Sequence, residues 1–392
     1  IFMTDKPKIL GIEFVTNKTG DALSLLEMHP MNPPSPPYKW KEGKLSDDEI
    51  VSELRKRIKQ EVDSDRFSGS VLIAQGDKII FEEAYGYANR SSGQLNTTDT
   101  RFHTASVGKM ITAVAIAQLV ERGSLTFDTR LSEIFTDYPD PAAAEKITIG
   151  MLLSHTAGIV DPFEYGSKIN SFLPDTGTGI YPAVAFAPLT HEPGSYHRYS
   201  NGNYALLKTI AEKVSGVKFQ DYLMKNIFLP SGMQIADSAE YSRLPYALNY
   251  GYDIAEDPLG INPKTPTRES AAAPFTEYNG YGIGYLRPRD IYNFLYALQS
   301  GKLISREMTD LITSGKADVE PGAPVKYGYG FYDVSMWGVN FRGHSGGGSN
   351  SGIGAEAEMI PDKDYYVILL GNYDLEYVRP LTFSIIRFLG AQ

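Results

Sequence analysis

Phe102-His103-Thr104-Ala105-Ser106-Val107-Gly108-Lys109-Met110 runs directly into Ile111-Thr112-Ala113-Val114-Ala115-Ile116-Ala117-Gln118-Leu119-Val120-Glu121-Arg122-Gly123. The second part is alanine-rich, largely apolar, free of proline and closed by a glycine, so it predicts a buried helix with Ser106 in its first turn. Ser-x-x-Lys spacing sets the two side chains on one helical face, where hydroxyl and ammonium can meet. The positive end of the helix disfavours a second positive charge, and apolar surroundings desolvate it, so Lys109 is expected to give up its proton readily. An amine in that state can take the proton of Ser106. The bland alternative is a serine cap beside a surface lysine. A second match, Ser215-Gly216-Val217-Lys218, follows the helix-like run Tyr204 to Val214. Its glycine suits a C-terminal cap, and a helix end of that polarity gives an oxyanion no support.

The 392 residues, 42% of them hydrophobic, suffice for one large or two ordinary soluble domains. A net charge of -10, with no local lysine or arginine cluster, argues against nucleic acid and against anionic membrane surfaces as partners. The chain has no cysteine, which excludes disulfides, thiolate nucleophiles and cysteine-ligated zinc. Any covalent nucleophile is therefore an alcohol, an amine or a carboxylate. No apolar run is long enough to span a membrane. From Ile1 onward there is no charged, apolar, small-residue signal, so an export signal is either absent or removed; the lack of cysteine fits an exported bacterial protein.

Toward the N-terminus, the runs 9–16 and 22–28 read as strands joined by the turn Asn17-Lys18-Thr19-Gly20, and Met31 to Pro37 reads as an extended linker. Residues 1–45 are thus expected to be a hairpin plus linker, and 46–392 the main domain. Ser46-Asp47-Asp48-Glu49 predicts a capping box opening a helix to about Ile58. Strands follow at Gly69 to Gln75 and Lys78 to Ala88 around the turn Gly76-Asp77. Between about 128 and 300 the periodicity is mainly helical, broken by loops such as Leu173 to Pro193, which predicts an inserted helical subdomain. Strands return at Tyr327 to Phe331, Gly352 to Ile360 and Tyr365 to Gly371, before a closing helix from Val378 to Phe388. The pattern predicts an α+β fold with one antiparallel sheet built from both chain ends.

Three motifs stand in order: Ser106-x-x-Lys109, Tyr199-Ser200-Asn201 and His344-Ser345-Gly346. With Leu152-Leu153-Ser154-His155-Thr156-Ala157-Gly158-Ile159, Pro193-Gly194 and the Asp290 to Ser305 stretch, residues 60 to 390 resemble the serine β-lactamase and penicillin-binding-protein superfamily. The nearest likeness is its class C β-lactamase, D-aminopeptidase and esterase branch. The resemblance implies a three-layer α/β/α sandwich with an inserted helical subdomain and the active site between them. Ser106 would be the acylated nucleophile, with Lys109 and Tyr199 as the proton-transfer pair. A phenol beside an ammonium is expected to favour phenolate, so either group can serve as base. Asn201 would hydrogen-bond Lys109 and the substrate amide; its bland reading is a helix-capping asparagine. Gly346 and Gly347 permit close backbone approach, so the Gly347 amide can join that of Ser106 as an oxyanion hole.

His344 stands where the commonest pattern of the superfamily has lysine, as in D-stereospecific peptidases and some esterases of the branch. A histidine is only partly charged, so efficient β-lactam hydrolysis is not expected. The expected function is an acyl-serine hydrolase of D-residue-containing peptides or small esters, with His344, Ser345, Gly346 and Gly347 lining the substrate site and no cofactor or metal. A covalent binding protein or sensor that deacylates slowly uses the same residues; a noncatalytic scaffold fits the intact motifs poorly. Gly343-His344-Ser345-Gly346-Gly347 also spells a nucleophile elbow, but that device needs a following helix and a later histidine, and the sequence offers neither. His191, Glu192 and His197 lack the helical four-residue spacing of a zinc site. His103 and His155 read as packed core residues. The Gly280, Gly282, Gly284 series reads as a flexible loop whose Tyr278, Tyr281 and Tyr285 line the cleft.

Overall fold

The computed structural model describes residues 10–16, 23–30, 38–165, 180–235, 245–251, 268–270, 280, 282–348 and 351–392. The expected turn at Asn17 to Gly20, the linker Met31 to Pro37, Tyr278 and Tyr281 lie outside them. Strands β1 (Leu10–Thr16) and β2 (Leu23–Pro30) pair antiparallel, Leu10 opposite Pro30. Helix α1 (Asp47–Asp63) opens on the expected capping box, with the Ser46 and Glu49 side chains each satisfying the other's backbone.

The centre of the molecule is an eight-stranded antiparallel sheet. In chain order its strands are β3 (Gly69–Gln75), β4 (Lys78–Tyr85), and, after the β5 (Phe102–Ala105) and β6 (Ile283–Leu286) pair that stands apart, β7 (Ala317–Asp318), β8 (Val325–Tyr327), β9 (Tyr332–Met336), β10 (Val339–Gly348), β11 (Ile353–Ile360) and β12 (Tyr365–Gly371). Their spatial order is β7-β8-β9-β10-β11-β12-β3-β4. The two chain ends meet where β12 pairs with β3, Tyr365 opposite Gln75 and Gly371 opposite Gly69.

Alternation along these strands builds two cores. Ala355, Ala357, Met359, Ile368 and Leu370 face the helix α2 (Gly108–Glu121), whose side chains are buried almost all round, and the helical segment beyond it, which includes α3 (Asn201–Ser215) and α4 (Pro288–Gln299). Val367, Leu369 and Ile360 face α1 and the closing helix α5 (Leu375–Gly390). The result is the expected α+β arrangement of helices, sheet and helices.

Several elements differ from the sequence reading. Strands β9 and β10 were not expected as such, because glycines and polar residues interrupt their alternation. The loop expected from Leu173 to Pro193 contains a helix, Ile180–Phe186. Gly284 lies in β6 rather than in a loop, and Tyr285 is buried against His103, ring centroids 5.3 Å apart, so it does not line a cleft. As expected, by contrast, Ser215-Gly216-Val217-Lys218 is a helix end, with Gly216 left-handed at φ 74.

Candidate active site

Ser106 occupies the junction between β5 and α2. It lies just ahead of the first helical residue, Gly108, rather than inside the first turn; the Val107 amide donates to Thr104 O (3.1 Å) and the Lys109 amide to Ser106 O (2.9 Å). Ala105, at φ 44, is left-handed without being glycine, a conformation that a packed site must hold in place. Lys109, one helical step on, is fully buried. Its Nζ lies 3.0 Å from Ser106 Oγ and donates to Asn201 Oδ1 at 2.7 Å. The amine also sits over the Tyr199 ring, 4.8 Å from its centroid.

Burial pushes the Lys109 amine well below the ordinary lysine range, with the Asp161 carboxylate opposing that shift. The Tyr199 phenol is pushed well above its ordinary range, chiefly by burial, although its side-chain hydrogen bond with Ser106 opposes this. The expectation that the pair favours phenolate is therefore corrected. Desolvation acts on both groups and favours the neutral form of each, the amine of Lys109 and the phenol of Tyr199.

Asn201 is the first residue of α3, but Ser200 does the capping: its Oγ accepts from the Gly202 amide at 3.1 Å and donates to Val160 O at 2.8 Å. The amide of Asn201 is thus left for the site. Asp161, which the sequence reading passed over, fixes its orientation: Oδ2 accepts from the Asn201 backbone N–H (3.0 Å) and from Nδ2 (2.9 Å), so Oδ1 must face Lys109. His155 is buried, as expected; its Nδ1 accepts from the Ser200 amide at 3.2 Å, and its ring packs 4.3 Å from that of Tyr199.

The third motif lies within β10, an ordinary strand paired with β11, so Gly343 to Gly347 form no elbow. Pairing with β9 ends at Tyr332 opposite Gly343, so among the described residues the edge from His344 to Gly348 has no strand partner on that side. Gly346 is pressed against the nucleophile's turn, since a Cβ there would come 2.1 Å from Thr104 O and 3.0 Å from Ser106 N. Gly347, at φ 114, adopts a backbone that suits glycine.

His344 departs from its expected role as a partly charged contact. Its Nδ1 donates to Ser345 O (2.6 Å), leaving Nε2 to accept from the Tyr327 hydroxyl (2.9 Å). Burial pushes this imidazole down to about 3, so it is neutral. Ser345 also departs. Alternation along β10 turns its side chain toward α5, away from the Gly346 face that meets Ser106, and its Oγ accepts from Arg379 Nη2 at 2.5 Å. Arg379 in turn donates to Glu356 Oε1 at 2.8 Å. No side-chain pattern marks Arg379 or Asp161 in the sequence, because each becomes significant only through a partner distant along the chain.

The sequence model of the beta-lactamase family matches residues 54–382. The chain belongs to this family. It is 29% identical over 296 residues, 75% of this chain and 69% of the relative, to a Bacillus subtilis protein described as penicillin-binding protein PbpX. It is 24% identical over 277 residues, 71% of this chain and 65% of the relative, to the teichoic acid D-alanine hydrolase of Staphylococcus aureus. The chain thus spans about two thirds of the length of these relatives. The crystal structure of D-amino acid amidase from Ochrobactrum anthropi SV3 with D-phenylalanine superposes with a TM-score of 0.69 at 23% identity, covering 86% of this chain and 98% of that one. The fold is that of the β-lactamase-like sandwich. Among the described residues no helix is long and apolar enough to cross a membrane.

Proposed function

We propose that this member of the beta-lactamase family is a serine hydrolase working through an acyl-enzyme at Ser106. The observation that carries this reading is the 3.0 Å contact between Ser106 Oγ and the buried Lys109 Nζ. Neutral Lys109 takes the hydroxyl proton as Oγ bonds to the carbonyl carbon of an amide or ester. The amides of Ser106 and Gly347 receive the oxyanion, and the proton passes by way of the Lys109 and Tyr199 pair to the leaving nitrogen or oxygen as its bond to carbon breaks. Water then attacks the acyl-enzyme, losing its proton to the same pair. Asn201 holds Lys109 and presents Nδ2 beside the substrate.

The substrate class we assign is a short amide or peptide containing a D-residue, with small esters next. Two features support it. His344 is neutral, with both ring nitrogens engaged, and Arg379 is committed to Glu356 and Ser345, so neither offers a spare charge to a substrate carboxylate. The names of the relatives point the same way, toward D-alanyl and D-amino acid groups. Conventional β-lactam hydrolysis is weak or absent in this account. Residues 46–392 would form the catalytic unit and 1–45 an appended hairpin and linker. Like relatives named for penicillin binding and teichoic acid, it would act outside the cytoplasm.

Intact mass spectrometry after treatment with a fluorophosphonate, and separately with a penicillin, tests the nucleophile. The adduct is expected to disappear in Ser106→Ala and to persist in Ser345→Ala. An adduct surviving in Ser106→Ala overturns the reading. Repeated turnover of a D-alanyl amide distinguishes a hydrolase from a slowly deacylating sensor, which would stop after one equivalent of product.

A further inference from the structure

On the face of the sheet turned away from Ser106, beneath α5, lies a cavity of about 370 Å³, a volume within the range of small-molecule sites. Its walls are apolar, with Val325, Val334, Phe341 and Phe383. Its polar end gathers Glu356, Glu358, Arg379 and Ser345. The two glutamates are 1% and 3% exposed. Arg379 Nε donates to Glu356 Oε1 at 2.8 Å, and its Nη2 is taken by Ser345. Glu358 Oε2 is buried without a hydrogen-bond partner among the described residues. It rests over Gly343, where a Cβ would come within 2.5 Å of it.

Among the described residues the lining thus holds two buried carboxylates and one guanidinium, and that guanidinium is bonded to Glu356 rather than to Glu358. A buried carboxylate must be paired or protonated. Burial, and after it the charge of Glu356, push Glu358 well up, toward the protonated form. The remaining ionisable groups on the lining, Tyr332 and the rim residue Glu320, add no cation.

We propose that this cavity binds a small organic cation, a primary ammonium on an apolar body, with the ammonium donating to Glu358 and the body lying along Val325, Val334, Phe341 and Phe383. The site lies on the opposite face of the sheet from Ser106 and does not depend on the reaction assigned there.

Isothermal titration of the Ser106→Ala protein at pH 7 with benzylammonium and with benzyl alcohol, its uncharged near-isostere, tests the assignment. Benzylammonium is expected to bind at least about tenfold more tightly than benzyl alcohol, the scale of a charge-assisted hydrogen bond. Glu358→Gln, equal in size and uncharged, should remove that preference while keeping hydrolytic activity in the otherwise wild-type chain. Phe383→Trp, which fills the apolar wall, should abolish binding of both ligands. Equal binding of the two ligands, or ammonium binding undiminished in Glu358→Gln, overturns the proposal. Binding of neither to the parent protein also overturns it, and makes Glu358 a buried protonated acid and nothing more. The parent-protein comparison stands even where a variant fails to fold.

Discussion

Lys109 is enclosed by the apolar surroundings of α2, and that enclosure makes a lysine usable as a base far below its usual range. The nearby ionisable groups are Asp161, Tyr199, Tyr204, His155 and His344, and of these Asp161 brings the opposing negative charge. Asp161→Asn is therefore expected to lower the Lys109 pKa further and move the acid limb of the kcat/KM profile to lower pH. The same change loosens Asn201 and should reduce kcat by about tenfold, the scale of one hydrogen bond to a charged group. An unmoved acid limb, measured on a chromogenic ester, would contradict this role for Asp161. At this scale the meeting of Ser106 and Lys109 was legible from their spacing, whereas Tyr199 and Asn201 were singled out by the family resemblance of their motif. Asp161 and Arg379 were not, because their partners Asn201 and Ser345 lie far along the chain.

At the scale of elements, what matters is how closely β10 approaches the turn between β5 and α2. Gly346 permits that approach, and a methyl group there would drive into Thr104 O. Gly346→Ala is expected to push the strand from Ser106 and lower kcat/KM by about a hundredfold, the cost of roughly an ångström of misplacement. Near wild-type kinetics for this variant would show that the strand is not part of the site. The glycines that allow β10 to pass so close also hid it as a strand, because they break the alternation by which strands are read. The same alternation turns Ser345 toward α5, a consequence of strand register that no motif reveals.

For the whole molecule, the sheet joining both chain ends was legible from where the strand-like runs fall, and the helix packing on its two faces follows from their alternation. Trp40, by contrast, carries no pattern, yet its ring stacks 4.1 Å from Phe388 and its Nε1 donates to Ser384 Oγ at 3.1 Å, tying the segment before α1 to the last helix. Trp40→Ala is expected to cost about 2 kcal/mol in a urea unfolding curve, since the ring is half-buried. Buried neutral histidines contribute to the acid response. His344 is pushed down to about 3 and His103 to about 4, against 6.5 for the free side chain, both by burial. The unfolded chain binds these protons first, so their contribution to stability is complete above about pH 6.5 and is lost as pH falls toward 4 for His103 and toward 3 for His344. Glu356 and Glu358, pushed up by burial, act in the opposite sense above the ordinary carboxylate range. His344→Gln should therefore flatten the fall of Tm between pH 6.5 and 4 relative to the parent, and an unchanged slope would show that His344 is not buried neutral. The pH dependence of single-turnover acylation reports whether neutral Lys109 is the base for Ser106. The rate is expected to reach its plateau well below the ordinary lysine pKa, to fall by about a hundredfold or more in Lys109→Met, and to keep the same acid limb in Tyr199→Phe. An acid limb lost in Tyr199→Phe but retained in Lys109→Met would contradict the account and make the phenol the base.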